Sequence, residues 1–292
     1  MSRNENRSGF APDTTPDSAD VTMAAVQQRQ ESQSSDLGYP QPTEFVDLPS
    51  KGMFYGPGHP LQNQESVEIR YMTARDEDIL SSRTYIRKGI VLDKLIESIL
   101  VNKSVKAESL LIGDKNAIVV AARISGYGTD YETEITCPAC NSSQRTLFDL
   151  ENHSLITAEE VLQNSSAQPT QNGTFIITLP VTEMEVEVKL LTGRDQSRFL
   201  KESERKRKKQ MDASSVTDQL RTFIVSIDGE DDIISMQQAI FKMPAKDARH
   251  LRSVYTKLMP NIDLTQEFTC ESCGHEADVE VPLGANFFWP DI

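Results

Sequence analysis

The chain has 292 residues, 38% of them hydrophobic and 25% charged, with a formal net charge of −14 at pH 7 and an isoelectric point near 4.8. That acidity repels nucleic acid and anionic lipid at long range, and no run approaches the roughly 18 consecutive apolar residues of a membrane-spanning helix. With no apolar signal-peptide core at its start either, the expectation is a soluble protein of a cytoplasm whose partners are other proteins.

Residues 1–43 are rich in Ser, Gln, Asp, Pro and Asn, with few aliphatics beyond the stretch from Met23 to Val26. Such a segment buries too little apolar surface to offset its ordering entropy. It is expected to be a disordered or extended arm, suited to wrapping a neighbouring subunit.

The remainder reads as α+β and as built twice. Val67-Glu68-Ile69-Arg70-Tyr71-Met72-Thr73-Ala74-Arg75-Asp76 lines up without a gap on Val186-Glu187-Val188-Lys189-Leu190-Leu191-Thr192-Gly193-Arg194-Asp195. Asp93-Lys94-Leu95 then faces Asp218-Gln219-Leu220, and the segment from Asp114 to Cys137 faces that from Asp247 to Cys270, in the same order. Ahead of these, Phe45-Val46-Asp47-Leu48-Pro49 faces Phe175-Ile176-Ile177-Thr178-Leu179-Pro180. An internal duplication accounts for this order, with a first copy over 44–165 and a second over 166–292.

Each copy opens with a strand of alternating apolar residues, Val67, Ile69 and Tyr71 or Val186, Val188 and Leu190, running straight into a helix start. Thr73 and Thr192 stand where an N-cap belongs, and Asp76 and Asp195 three positions on complete a shortened capping box. The next helix carries Leu92, Leu95, Ile96, Ile99 and Leu100 in copy one, and Leu220, Phe223, Ile224 and Ile227 in copy two, at core-facing spacing. A third, with Ile118, Val119 and Ala122 or Ala248, Leu251 and Val254, precedes a strand that delivers a cysteine pair. Gly126-Tyr127-Gly128-Thr129-Asp130-Tyr131 leads into a strand without the Lys-Ser/Thr ending of a phosphate loop, and reads as a turn.

Cys137-Pro-Ala-Cys140 and Cys270-Glu-Ser-Cys273 hold all four cysteines. A C-x-x-C turn aims two thiolates at one spot, so two such knuckles supply the tetrahedral shell of one structural Zn2+. The metal ligands expected are therefore Cys137, Cys140, Cys270 and Cys273, in a zinc-ribbon-like site that fastens one copy to the other. Four thiolates leave no open position for Lewis-acid chemistry. The competing readings are a thioredoxin-like redox pair and free buried thiols. His275 is either an exchange ligand, a hydrogen-bond donor to the site or simply exposed, and no catalytic constellation can be placed elsewhere.

Lys201 to Gln210 reads K-E-S-E-R-K-R-K-K-Q, the one concentrated positive run. It is either a solvated face or a contact for an acidic protein; without interleaved aromatics it offers bases no stacking platform, which disfavours nucleic acid. Phe287-Phe288-Trp289 either folds back on the protein's own core or anchors in a neighbour's pocket.

Leu48-Pro49-Ser50-Lys51-Gly52-Met53-Phe54-Tyr55, the Thr-x-Arg-Asp helix start, Gly113-Asp114-Lys115-Asn116, Tyr127-Gly128-Thr129-Asp130-Tyr131, the two cysteine knuckles and Phe287-Phe288-Trp289-Pro290 together resemble the baseplate protein family of T-even-type bacteriophages, from about Phe45 onward. The resemblance implies a non-enzymatic structural or assembly component of a contractile-tail baseplate, in or beside the central hub, made in the host cytoplasm and residing in the virion tail. It also implies other baseplate and tail proteins as partners, with a symmetric multicopy assembly as one arrangement and no membrane. The rival reading is a zinc-ribbon nucleic-acid-binding protein, and a redox enzyme working through either C-x-x-C is a third.

Overall fold

Two-residue alternation in Thr43–Asp47 (β1) and Ser66–Arg70 (β2) buries Val46, Val67 and Ile69 on one face of an antiparallel pair that sets Val46 opposite Val67. This is a computed structural model, and it describes residues 41–208, 216–283 and 287–288. The arm expected over 1–43 lies almost wholly outside the described residues. Residues from Pro42 on belong to one compact unit.

The loop joining β1 to β2 doubles back through Gly52 at φ 69°, where an added Cβ would sit 2.4 Å from both Gln64 N and Leu61 O. Only glycine fits there. Three helices follow, Ala74–Leu80 (α1), Arg83–Lys88 (α2) and Val91–Ile99 (α3), and α3 buries Leu95, Ile96 and Ile99 completely. The helix Ile112–Tyr127 (α4) is buried nearly all round through Ile118, Val119, Val120 and Ala122. Its Gly113 lies so close to the later segment at Pro260 that a Cβ would come 1.9 Å from the Pro260 carbonyl.

Next come the hairpin Asp130–Thr136 (β3) with Ser143–Asp149 (β4), the strand Ser154–Ile156 (β5), and the helix Ala158–Asn164 (α5). A four-stranded antiparallel sheet is ordered Gln168–Pro169 (β6), Thr174–Thr178 (β7), Glu185–Lys189 (β8) and Ile224–Ile227 (β9). Between β8 and β9 run Gly193–Lys208 (α6) and Val216–Phe223 (α7). Ile233–Lys242 (α8), Ala245–Thr256 (α9), Asn261–Asp263 (β10) and the hairpin Thr265–Thr269 (β11) with Glu276–Glu280 (β12) complete the described chain.

One expectation is corrected here. Ile224 and Ile227 do not extend the α7 helix: it stops at Phe223, and Ile224–Ile227 pairs with β8, Val186 opposite Ile227 and Val188 opposite Ile224. A β-branched run beside the free edge of β8 gains ladder hydrogen bonds that a helix continuation would forgo. In the first half the chain does nearly the same more briefly, through a single bridge from Ile69 to Leu100 just past α3.

Two buried aspartates recur as anchors. Asp114, at the start of α4, accepts from Ser50 N (2.9 Å), Ser50 Oγ (2.5 Å) and Tyr55 Oη (2.8 Å). Asp247, at the start of α9, accepts from Val181 N (2.9 Å), Thr182 N (3.1 Å) and Thr182 Oγ1 (2.9 Å). Each grips the loop that follows a Leu-Pro pair. β5 pairs with β10, so the stretch after β4 is tied to the stretch before β11, and the two cysteine-bearing hairpins start from that shared support.

Candidate metal centre

Each hairpin turns through its cysteines in the same way. The Cys137 amide donates to the Ser142 carbonyl (2.8 Å) and its own carbonyl accepts from Asn141 N (2.9 Å). Cys270 N donates to His275 O (2.9 Å), and Cys270 O accepts from Gly274 N (2.8 Å). Each turn closes through a residue in the left-handed region directly after the second cysteine, Asn141 at φ 57° and Gly274 at φ 68°, the two residue types that tolerate it best.

These turns bring all four sulfurs together. Every pair of the Cys137, Cys140, Cys270 and Cys273 Sγ atoms lies within 4.8 Å, with Cys137 to Cys273 at 3.8 Å and Cys140 to Cys270 at 3.7 Å. Four sulfurs each about 2.3 Å from one centre define a tetrahedron with edges of about 3.8 Å. The donor set and its spacing therefore fit a tetrathiolate metal ion. Cys137 and Cys270 are buried, whereas Cys140 and Cys273 open to the surface.

The thiols are set against one another. The Ser142 hydroxyl, 2.9 Å from Cys140 Sγ and 3.4 Å from Cys270 Sγ, pulls both thiols down, Cys270 to about 6. At Cys273 a backbone hydrogen bond at His275 also pulls downward, but contact with the Cys140 sulfur, desolvation and the remaining thiols outweigh it and push the thiol up to about 12. Crowded sulfurs without a countercharge cannot all ionise; a dication among them removes the conflict. The His275 side chain is exposed and lies outside the sulfur cluster, its contribution being the carbonyl that Cys270 N reaches.

Two glutamines that sequence reasoning passed over lock the hairpins to each other. Gln144 donates from Nε2 to Thr269 O (3.0 Å) and accepts from Glu271 N (2.8 Å). Gln266 donates to Asp149 O (2.7 Å) and accepts from Asp149 N (3.2 Å). Each side-chain amide copies a peptide unit and adds a two-bond rung between hairpins. No spacing marks them, because polar residues on exposed strand faces are ordinary.

The capping boxes hold more than caps. Asp76 accepts from Thr73 N and Oγ1 (both 2.8 Å) and is gripped by the Arg70 guanidinium at 2.7 and 3.0 Å. Asp195 accepts from Thr192 N (3.2 Å) and Oγ1 (2.9 Å) and from Lys189 Nζ (2.6 Å). Burial alone would raise both carboxyls, but these donors hold both below the usual carboxylate range. The signal for Arg70 and Lys189 was present, since the two cations occupy matching places in the aligned segments.

Phe287 and Phe288 fold back on the protein's own core rather than standing free for a neighbour. Both are buried, edge-on to Tyr131 (5.0 Å) and Tyr127 (6.2 Å) respectively, and Phe287 O accepts from Arg123 Nε (3.1 Å). Trp289 lies outside the described residues, as do Lys209 and Gln210 of the basic run. Among the described residues, no helix is long and apolar enough to cross a membrane.

A family model described as T4 bacteriophage base plate protein matches residues 43–289. No curated protein and no solved structure matches the chain.

Proposed function

The chain belongs to the T4 bacteriophage base plate protein family, and we propose that it is a non-enzymatic component or assembly factor of a contractile-tail baseplate, at or beside the central hub. Membership implies a structural role in the phage baseplate, a place in the virion tail and contacts with other tail proteins. The hub position and assembly from the host cytoplasm are the finer part of the proposal and rest on the motif resemblance. A symmetric multicopy assembly would suit such a position.

The second part of the proposal is a structural Zn2+ held by Cys137, Cys140, Cys270 and Cys273, and the observation that carries it is the tetrahedral spacing of the four sulfurs. A closed shell of thiolates supplies no catalytic position. Its chemistry is cohesion, binding two hairpins that are far apart in sequence.

The third part is the duplication, with the two copies running over 44–165 and 166–292. What supports it is the repetition of three unusual local solutions: the Thr-x-x-Asp cap clamped by a cation from the preceding strand, the helix-start aspartate gripping a Leu-Pro loop, and the knuckle closed by a left-handed residue. The zinc would then join the copies at equivalent points.

Elemental analysis of the purified chain tests the metal. The expected content is one zinc per chain, falling to none in Cys137→Ser or Cys270→Ser, whose melting temperatures drop steeply because a structural zinc contributes on the order of 10 kcal/mol to folding. Wild-type protein that is folded and free of metal as purified would refute the site. Mass spectrometry of purified virions against infected-cell lysate then separates a resident component from a chaperone.

A further inference from the structure

The geometry points to a docking groove between α3 and α6 that takes the carboxylate face of an acidic amphipathic helix from another protein. Arg194, Arg198, Lys201, Arg205 and Lys208 follow one another at steps of four, three, four and three along α6. At 3.6 residues per turn they share one face, within an arc of about 80°. All five are exposed. This face differs from the run visible in the sequence: it begins earlier, at Arg194, and omits Lys206, which turns away to pair with Asp218.

A solvated helix face ordinarily mixes signs, because like charges three and four positions apart repel. Here, with Glu202 and Glu204 flanking, five cations follow one another along one face. They also stand out on a chain of net charge −14. Arg194, Arg198, Lys201 and Arg205, with Glu202 beside them, form one wall of an open cavity of about 520 Å3, with α3 and Glu108 opposite. The acids of that opposite wall are answered inside the fold: Asp93 by Lys115 (2.5 Å), Glu97 by Lys94 (2.7 Å), and Glu108 by Arg194 (2.6 Å). Arg198, Lys201, Arg205 and Lys208 make no ion pair with any described residue.

A furrow between two helices, walled on one side by cations at helical spacing, is complementary to a third helix carrying Glu or Asp at the same spacing. Nucleic acid fits less well. Its phosphates would meet the chain's overall negative field, and no aromatic residue lies among these cations to stack a base. The inference depends on neither the family assignment nor the metal.

The test uses the full chain and a fluorescently labelled 18-residue helical peptide with Glu at i, i+4, i+7 and i+11 over an Ala/Gln background. Anisotropy at low salt should show binding that weakens steeply as salt rises. The triple variant Arg198→Gln/Lys201→Gln/Arg205→Gln should bind about tenfold or more weakly, since each exposed pair is worth up to about fivefold. Its melting temperature should stay level, since none of the three is held in an ion pair with a described residue. Arg83→Gln/Arg87→Gln/Lys88→Gln, an equal charge change on α2, should alter binding less than about twofold. Equal losses in both triple variants, or no binding at all, would overturn the groove; tighter binding of an oligonucleotide of equal charge would overturn the choice of carboxylate partner.

Discussion

Asp76 shows how one buried carboxylate does the work of several residues. Fully buried, it caps α1 through Thr73 and neutralises Arg70, whose other amino group also reaches Ser98 Oγ at 2.9 Å. Burial would raise its pKa, yet Arg70, Ser98 and the Thr73 donors hold it well below the usual carboxylate range. A carboxyl depressed in the folded state stabilises the fold above its unfolded pKa, and that contribution drains away as pH falls below about 4 toward the folded value. Asp76→Asn should therefore cost about 3–5 kcal/mol near neutrality by leaving Arg70 unpaired. The gap from the wild type should shrink between pH 4 and pH 2 in thermal melts; a gap constant across that range would show that the ion pair is not the cause. Asp114 behaves oppositely, since burial pushes its carboxyl up despite three donors. The capping role of Asp76 was legible from Thr73 three residues before it. Its burial was not, because Arg70 becomes its partner only once β2 leads into α1.

At the scale of elements, each knuckle is short enough to be written in the sequence. Cys-x-x-Cys followed by Asn141 or Gly274 specifies a turn whatever the rest of the chain does. The contact between the hairpins is not local. Gln144 and Gln266 supply it from strands far apart in the chain, and their side-chain amides stand in for missing ladder bonds. With the proposed zinc bound, Gln144→Ala with Gln266→Ala should leave the chain folded while accelerating metal transfer to a competing chelator by about tenfold, the scale seen for residues that support metal ligands. Unchanged transfer would mean that the sulfurs alone align the hairpins. Helix and strand assignments followed apolar periodicity wherever an element met the core with one face. They failed at Ile224, where the same residues satisfy either period and the open edge of β8 decides.

Across the whole molecule, β5 pairing with β10 and the approach of Gly113 to Pro260 already hold early and late segments together before any metal is considered. If the four thiolates hold the proposed zinc, removing it from the intact chain with a strong chelator is therefore expected to lower the melting temperature by on the order of 20 °C without abolishing the core. Proteolysis should then strike first in the hairpins from Asp130 to Asp149 and from Thr265 to Glu280 rather than in α4. A chelated sample that melts like the untreated one would remove the metal from the account of stability.

What the sequence settled by itself was local and periodic: the α+β character, the helix starts at Thr73 and Thr192, the strands leading into the knuckles, and the cysteines as one candidate ligand set. These follow from residues within a few positions of each other, where capping, turn preference and alternation act without help. What only the tertiary structure decided was which distant groups meet: Arg70 over Asp76, Asp114 under the Ser50 loop, Phe287 against Tyr131, and the cation stripe of α6 facing α3. Such meetings carry no spacing of their own, since they come from the packing of whole faces that bury apolar area and then leave each polar side chain to whichever partner that packing brings within reach.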